Sequence, residues 1–379
     1  MNRGFPEAEF AARVARAQAM MARHGLAALL LTTEPEVRYF TGYITRFWES
    51  PTRPWFVVLP ASGKPIAVIP TIGAPVMART WVEDIRTWRA PDLEDDGVSL
   101  LADTLRDVAG DGPVGVPMGH ETHLRMPLED YARLGASVRL VPDYGIMRAL
   151  RMVKSEAEID KIRTACAVAG RAFDRVGDIA APGVPLSQVF RRFQMLCLEE
   201  GADWVPYLAG GAGPLGYDDV ISPASDAPLE KGDVLMLDTG LMVDGYFCDY
   251  DRNFGIGSVD ERCLDGHRRL IDAVDAAMEA ARPGATAADL FHAMDKVLTG
   301  GAGGSEAGRY GHGLGMQLTE WPSLIPDDHT VLEPGMVLTL EPGVDIADGQ
   351  ILVHEENIVI REGAPEKLSP FAAPDLRIL

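Results

Sequence analysis

The segment Leu237-Asp-Thr-Gly-Leu-Met-Val-Asp-Gly-Tyr-Phe-Cys-Asp249 carries two aspartates, Asp238 and Asp249, eleven residues apart. Its pattern is typical of a hairpin with one aspartate on each arm. Carboxylate oxygens are hard donors that suit divalent metal ions. The segment therefore predicts two adjoining strands that present metal ligands.

Further ligand types follow downstream in a fixed order. His312 lies between two glycines, Glu341 precedes Pro-Gly, and the segment Val353-His-Glu-Glu-Asn357 offers two glutamates. Oxygen donors with one imidazole suit a pair of ions such as Mn, Fe, Co or Zn, which together can activate a water molecule. No pair of these residues is diagnostic alone, but the ordered set of five indicates a two-metal hydrolytic centre.

Composition excludes several classes of protein. At 379 residues the chain exceeds one typical core, so we expect about two domains. The net charge of -21 argues against binding to nucleic acid or to anionic membranes. The four cysteines lack Cys-x-x-Cys spacing, and we find neither a secretory signal nor a membrane-spanning run. We therefore expect a cytoplasmic protein.

The chain alternates helical and strand patterns up to about residue 147, which predicts a small α/β domain over residues 1–147. A capping box, Ser155-Glu-Ala-Glu158, then predicts the start of a long helix in a second domain over residues 148–379. Strands are expected at 234–239, 245–249, 337–341 and 351–360.

The second part contains an internal echo. The segment Ala181-Pro-Gly-Val-Pro-Leu-Ser-Gln-Val-Phe190 matches Arg282-Pro-Gly-Ala-Thr-Ala-Ala-Asp-Leu-Phe291 at an offset of 101 residues. Each copy has a helical pattern before and after Pro-Gly, which favours a duplicated α/β unit. Two such halves would form a cleft between their sheets, where the candidate ligands would meet.

Several motifs together resemble a known family. They are Tyr39-Phe-Thr-Gly-Tyr43, Arg148-Ala-Leu-Arg-Met-Val-Lys-Ser-Glu-Ala-Glu-Ile159, Gly232-Asp233 with Asp238-Thr-Gly, Gly245-Tyr-Phe-Cys-Asp249, Gly311-His-Gly-Leu-Gly315 and Glu341-Pro-Gly343. The sequence resembles the pita-bread metalloenzymes, which include methionine aminopeptidase, Xaa-Pro aminopeptidase, prolidase and creatinase. The resemblance implies an α/β (α+β) fold class, with a small creatinase-type N-terminal α/β domain followed by a pseudo-two-fold pita-bread catalytic domain.

The same resemblance implies which residues bind metal. The family's ligand positions fall on Asp238, Asp249, His312, Glu341 and Glu355. Asp249 and the last glutamate would bridge the two ions, and Glu341 would also shuttle a proton. Glu355 is preferred to Glu356 because it keeps the family-like spacing after Glu341.

Three positions depart from the family's peptidases. Thr319 and Ile221 stand where those peptidases carry histidines, and Val353 stands where members often carry an arginine. Losing one hydrogen-bond donor to the reacting group typically costs about 100- to 1,000-fold in rate. We therefore expect Thr319, Tyr217 or Asp218 to take over catalytic contacts.

Candidate substrate-binding residues lie in two segments. The loop Arg46-Phe-Trp-Glu-Ser-Pro-Thr-Arg-Pro-Trp55 offers Trp48 for cation–π or stacking contact and Arg53 for a substrate carboxylate. Tyr207 lies in a glycine-rich segment that approaches the substrate in the family. The creatinase branch forms dimers, so the resemblance implies a homodimer whose loop closes the partner's site.

The main functional hypothesis is a dinuclear-metal-dependent hydrolase of a C–N bond in a small polar substrate, similar to an Xaa-Pro dipeptidase. The first alternative is a non-peptidase of the family, such as an ectoine-type ring hydrolase or a lyase similar to those that cleave dimethylsulfoniopropionate. The second alternative is a non-catalytic binding module.

Overall fold

The computed structural model describes residues 3–50, 54–303 and 308–379. The chain divides into two compact units, Met1–Arg151 and Met152–Leu379. The boundary predicted at residues 147 and 148 falls inside the helix Ile146–Met152, whereas the two units divide near the end of that helix.

The N-terminal unit is built around a six-stranded mixed sheet with the order β4-β3-β2-β1-β5-β6. The antiparallel pairs are β1–β2 and β2–β3, and the other neighbours are parallel. Its elements are α1 (Glu7–His24), β1 (Ala28–Leu31), α2 (Glu34–Thr41), β2 (Phe56–Pro60), β3 (Ile66–Pro70), α3 (Ala74–Met77), β4 (Asp84–Trp88), α4 (Val98–Ala109), β5 (Val114–Val116), α5 (Leu128–Gly135), β6 (Leu140–Pro142) and α6 (Ile146–Met152), with short 3-10 turns at Phe47–Glu49 and Thr71–Gly73.

The motif Tyr39-Phe-Thr-Gly-Tyr43 has a structural explanation in this unit. Gly42 ends α2 with a φ of 73°, in the left-handed region that favours glycine. A Cβ atom at this position would stand 2.7 Å from the ring of Phe10 on α1. The glycine therefore allows α2 to end tightly against α1.

The C-terminal unit contains four longer helices and two main sheets among its described residues. The sheet orders are β18-β10-β8-β7, with β9 paired to β8, and β12-β11-β13-β16-β17. The elements are α7 (Glu156–Asp174), α8 (Leu186–Glu200), β7 (Trp204–Gly213), β8 (Val234–Val243), β9 (Tyr246–Phe247), β10 (Tyr250–Gly255), α9 (Glu261–Ala280), α10 (Ala287–Leu298), β11 (His312–Gly313), β12 (Glu320–Ser323), β13 (Val337–Leu340), β14 (Gly343–Ala347), β15 (Gln350–Val353), β16 (Glu356–Val359), β17 (Glu366–Lys367) and β18 (Arg377–Ile378), with a 3-10 turn at Val176–Asp178.

The predicted capping box at the start of α7 is present. The Ser155 side chain accepts from the backbone N–H of Glu158, and the Glu158 carboxylate accepts from the Ser155 N–H at 2.9 Å. A cap of this kind stabilises a helix by about 1 kcal/mol. The helix ends at Asp174, and a 3-10 turn follows at Val176–Asp178.

The internal echo corresponds to a repeated backbone arrangement. In the first copy, Gly183 donates to Leu229 and Leu186 donates to Ala227; in the second, Gly284 donates to Leu332 and Ala287 donates to Thr330. In both copies the segment between two helices thus pairs with a strand-like segment that follows. Each half supplies two helices and one main sheet, in keeping with a duplicated unit.

Candidate metal centre

The first sheet of the C-terminal unit carries both aspartates. Asp238 lies within β8, whose ten residues are all buried, and Asp249 directly precedes β10. These strands are antiparallel, with Asp251 opposite Asp238, and the two-residue β9 lies between them along the chain. Both aspartates thus lie at one sheet, but the strand predicted over 245–249 forms only at Tyr246–Phe247, and Asp249 lies between β9 and β10.

The second sheet carries the other three candidates. His312 begins β11, Glu341 directly follows β13, and Glu355 directly precedes β16. Strand β13 pairs with both β11 and β16, so the three side chains converge at adjoining strand ends. The strand predicted over 351–360 is interrupted at His354 and Glu355, because β15 and β16 belong to different sheets.

Three of the five candidates form a close group. Single ligand atoms of Asp249, His312 and Glu355 all lie within 4.8 Å of one another, and all three residues are buried. The His312 Nε2 atom is 3.4 Å from Asp249 Oδ2. Two atoms bound to one ion at about 2.2 Å are at most about 4.4 Å apart. The 4.8 Å bound on the distances between these ligand atoms exceeds this limit by about 0.4 Å. Small side-chain movements would therefore bring the three atoms to one ion.

The carboxylates of the centre share a low-dielectric environment. Burial, together with the negative charges of neighbouring carboxylates, raises the pKa of Asp238, Asp249 and Glu355 well above its ordinary value. Burial and the charge of Asp251 raise the pKa of Glu341 to about 7. These four carboxylates cannot all be ionised at neutral pH unless a positive charge lies among them. A divalent cation would supply that charge.

The electrostatics also prepare His312 to act as a ligand. Burial and then the charge of Arg309 lower the pKa of His312 to about 3, so its imidazole is neutral at pH 7. The Nδ1 atom is 2.8 Å from the carbonyl oxygen of Gly313, which fits donation by Nδ1–H. The lone pair of Nε2 is then directed toward the side on which Asp249 lies.

Two carboxylate oxygens in the centre support the fit to a metal. Within the described residues, Asp238 Oδ1 and Glu355 Oε1 are buried and have no hydrogen-bond partner. A buried oxygen without a partner is costly, since water no longer solvates it. The residues present therefore fit divalent ions, which bind such oxygens directly.

The contacts of the two neighbouring glutamates differ. Glu356 is fully buried and accepts from Arg252 Nη2 at 3.0 Å, from the Ser369 hydroxyl and from the Ala372 N–H at 2.7 Å. The Glu355 carboxylate has one oxygen without any such donor. This difference favours Glu355 as a ligand and gives Glu356 a structural role.

A polar network supports the centre, and the part played by Asn357 in it was not identified from the sequence. The Asn357 amide brackets Asp249: its Oδ1 accepts from the Asp249 N–H at 3.0 Å, and its Nδ2 donates to the Asp249 carbonyl. Asp251 Oδ1 accepts from the Glu355 N–H at 3.1 Å and lies 3.3 Å from His354 Nδ1. These contacts fix the backbone of two candidate ligands. The available signal was the polar run from residue 354 to 357.

The positions that lack the family's histidines are placed very differently. Ile221 has 86% of its surface exposed. Thr319 is half-buried, and its Oγ1 accepts from Arg309 Nη2 at 3.4 Å. Arg309, three residues before His312, is a residue that the sequence analysis missed. Its position in a glycine-flanked motif with a candidate ligand was the signal that could have found it.

The other three candidates in this unit differ in their contacts. Burial and the negative charges of Asp238 and Asp249 raise the pKa of Tyr207, so its hydroxyl faces the carboxylates of the centre. Tyr217 is buried, and its hydroxyl accepts from the Val353 N–H at 2.6 Å and lies 3.2 Å from Asn253 Oδ1. The Tyr217 hydroxyl is therefore already engaged in hydrogen bonds within the fold, which argues against the predicted catalytic contact. Asp218 is exposed.

The candidates of the N-terminal unit are described separately. Trp48 is half-buried and lines a cavity of about 510 Å³. The guanidinium of Arg125 lies 5.3 Å from the centre of its ring, and Trp55 packs beside it at 6.0 Å. Trp48 thus already has a cation–π partner in its own unit. Arg53 lies outside the described residues.

Among the helices of the described chain, none combines the length and apolar character needed to cross a membrane. The cytoplasmic location stays a prediction.

Two protein families match the chain. Residues 160–362 match the family described as metallopeptidase family M24, and residues 13–153 match the creatinase/prolidase N-terminal domain. The probable dipeptidase PepE of Mycobacterium tuberculosis is 32% identical over 386 residues, which cover 97% of this chain and 98% of the relative. The Xaa-Pro dipeptidase of Pyrococcus furiosus is 30% identical over 231 residues, or 59% of this chain and 65% of the relative.

Solved structures agree with these matches. The crystal structure of dipeptidase PepE from Mycobacterium ulcerans has a TM-score of 0.84 and 30% identity, and the comparison covers 99% of each chain. Prolidase from Thermococcus sibiricus has a TM-score of 0.85 at 21% identity, covering 98% of this chain and 99% of that one. At 21% identity, the similarity to the Thermococcus sibiricus prolidase is evidence for the fold alone.

Proposed function

The chain belongs to metallopeptidase family M24, and from this premise we propose that it is a dipeptidase that depends on two divalent metal ions. The family resemblance and the fold class drawn from the sequence are confirmed: a creatinase-type N-terminal domain precedes a catalytic domain of the prolidase type, the pita-bread fold. Because the chain belongs to this family, it is a hydrolase of the peptidase class.

The observation that carries the proposal is the buried group of Asp249, His312 and Glu355. A neutral imidazole and two carboxylates whose ionised forms are disfavoured by burial suit a cation better than any other partner. We propose that Asp238 and Glu341 would complete the ligand set with Asp249, His312 and Glu355. When bound, such ions polarise a carbonyl and lower the pKa of water.

The remaining chemistry is assigned to residues of the chain. Glu341 directly follows β13, at the strand end next to the buried group, and a carboxylate can take a proton from water and return it. We assign to Glu341 the removal of a proton from the attacking water and its delivery to the leaving amine. We assign to Tyr207, on the strand that pairs with β8, a position beside the Asp238 carboxylate.

The substrate class rests on the relatives. A probable dipeptidase and an Xaa-Pro dipeptidase are among them. We propose a dipeptide substrate, with Xaa-Pro dipeptides as the first to test and manganese as the first metal. The substitutions at Ile221 and Thr319 are the specific observation that favours the alternative, a non-peptidase that opens an amide ring or acts as a lyase.

A panel of substrates tests this choice. Protein loaded with Mn²⁺ or Co²⁺ is expected to hydrolyse dipeptides, because the carboxylate-rich centre can hold two ions and Glu341 can move the proton. Release of free amino acids from Xaa-Pro and from other dipeptides is measured, with metal-free protein as the control. Cleavage of ectoine-type rings or of dimethylsulfoniopropionate, with no dipeptide cleaved, would contradict the proposal. Protein that retains no metal would favour the binding module.

We also propose that the active form is a homodimer with a shared site. The Trp48 loop supports this, since an aromatic residue there borders a sizeable cavity together with Glu49 and Arg125. Light scattering should then give about twice the chain mass of 41.0 kDa. Mixing a Trp48→Ala chain with an Asp249→Ala chain should restore up to about a quarter of the activity by random exchange into a two-fold dimer. A monomeric active enzyme would contradict the proposal.

A further inference from the structure

A cavity of about 250 Å³ lies within the C-terminal unit. It is bordered by the last turn of α7, by β10, by one residue of α9 and by the C-terminal segment at residues 370–377. The described residues that line it include none of the five candidate metal ligands. The cavity is therefore separate from the metal centre, and no step of the proposed hydrolysis uses it.

The inner side of the cavity is aromatic. Phe173, Tyr250 and Phe254 line it and are buried, and the ring centres of Phe173 and Tyr250 are 5.3 Å apart. Phe371 adds a fourth ring to the lining. An apolar cavity of about 150 Å³ is large enough to bind benzene. The larger volume here therefore suits one aromatic or large aliphatic side chain together with a small polar group.

Charged residues stand where the cavity meets solvent. Asp174, Asp375 and Arg377 line it and are exposed. Asp375 pairs with Arg268 at 3.4 Å. Within the part of the chain that the structure describes, the Asp174 carboxylate and the Arg377 guanidinium have no ion-pair partner. One negative and one positive group are thus open to a ligand.

The two arginines that line the cavity differ in the donors they have left. Arg252 is held by the Glu356 carboxylate at 3.0 Å and by three backbone carbonyl groups. Arg377 donates through Nη1 to the Phe173 carbonyl at 3.3 Å and through Nη2 to the Asp174 carbonyl at 2.9 Å. Because a guanidinium carries five N–H donors, Arg377 keeps donors that match a carboxylate.

A buried acceptor in the lining indicates a ligand that also donates. His267 on α9 lines the cavity and is only 3% exposed. Its Nε2 is 3.1 Å from the Ala373 carbonyl oxygen, so Nε2–H donates there. Burial lowers the pKa of His267 to about 4, which leaves Nδ1 unprotonated at neutral pH. Among the described residues this Nδ1 has no hydrogen-bond partner.

We propose that this cavity binds a free amino acid with an aromatic or large aliphatic side chain. Arg377 takes the α-carboxylate, and Asp174 attracts the ammonium group, which is also favoured at the carboxyl end of α7. His267 Nδ1 offers that ammonium an acceptor, and the aromatic rings hold the side chain. Dipeptide hydrolysis releases such amino acids; that the ligand is a product rests on the proposed function, whereas the site itself does not.

Calorimetry with metal-loaded protein tests the site with phenylalanine, phenylalaninamide and 3-phenylpropanoate. Wild type should bind phenylalanine about 10-fold more tightly than either analogue, because each analogue lacks one charge-assisted hydrogen bond. Arg377→Gln should lose the preference over the amide, and Asp174→Asn should lose the preference over the propanoate. Arg262→Gln, an exposed position on α9 outside the cavity, is the matched control and should bind as wild type.

The variant Asp249→Ala separates this site from the metal centre. It should bind phenylalanine as tightly as wild type even without metal, since Asp249 does not line the cavity. Loss of binding in Asp249→Ala would overturn the inference, and so would equal binding of all three ligands by wild type.

The two cavity variants act on opposite ends of the ligand, so either decides the matter if thermal unfolding shows that the other does not fold. A preference that persists unchanged in a folded Arg377→Gln or Asp174→Asn protein would also overturn the inference. If no dipeptide is cleaved, the proposed function fails, while these binding results still decide the site.

Discussion

Replacing Asp249 with alanine is expected to lower dipeptide hydrolysis by at least about 1,000-fold and to remove metal at the same time. The expectation follows because the Asp249 carboxylate lies 3.4 Å from His312 Nε2 and belongs to the buried group that would hold the metal. Polarisation by the ions supplies several kcal/mol of transition-state stabilisation, and each 1.4 kcal/mol or so corresponds to about tenfold in rate. Initial rates and metal content per chain are measured on the same sample.

The matched control for this variant is Asp272→Ala, which removes an exposed aspartate from α9. It should keep both the rate and the metal content of wild type. Circular dichroism should show that Asp249→Ala is folded, since the variant loses a carboxylate whose charge burial disfavours. Full metal content in a folded Asp249→Ala protein would contradict the ligand assignment.

The second large effect concerns stability. Glu356→Ala is expected to lower the free energy of unfolding of the metal-free protein by about 3–5 kcal/mol, because it leaves the Arg252 charge without its buried partner. Glu355→Ala should have a much smaller effect, or should stabilise the metal-free protein, since it removes a carboxylate crowded by Asp249 and Glu341. Denaturant unfolding of both metal-free variants provides the comparison.

Metal binding should rank these two variants in the opposite order. Glu355→Ala should lose metal, whereas Glu356→Ala should retain it at temperatures where the protein is folded. The reverse result, with metal lost only from Glu356→Ala and the larger destabilisation in Glu355→Ala, would exchange the roles of the two glutamates.

Local and ordered patterns were the parts of this structure that the sequence predicted well. The capping box at Ser155 depends on residues three apart, so it could be recognised from the local sequence. The repeat was visible because Pro-Gly recurs in the same helical context. The five candidate ligands were predicted as an ordered set rather than from any one residue, and their role as ligands stays a prediction; the structure groups three of them closely.

Features that depend on distant contacts were not predictable in this way. The cation over Trp48 comes from Arg125, 77 residues later, so the loop sequence gave no sign of it. The hydroxyl of Tyr217 is taken up by Val353, 136 residues away, which no local pattern indicates. The contact between Arg309 and Thr319 depends on how the chain returns from β11 to β12. In each case the partner is set by packing of the whole unit.

The central claim, that this chain hydrolyses dipeptides with two divalent ions, is tested most directly by titrating metal-free protein with Mn²⁺ while dipeptide hydrolysis and bound metal are both measured. The account predicts negligible hydrolysis without metal and full activity at two ions per chain. Full hydrolysis by protein that binds no metal, or two bound ions with no dipeptide cleaved, would contradict it.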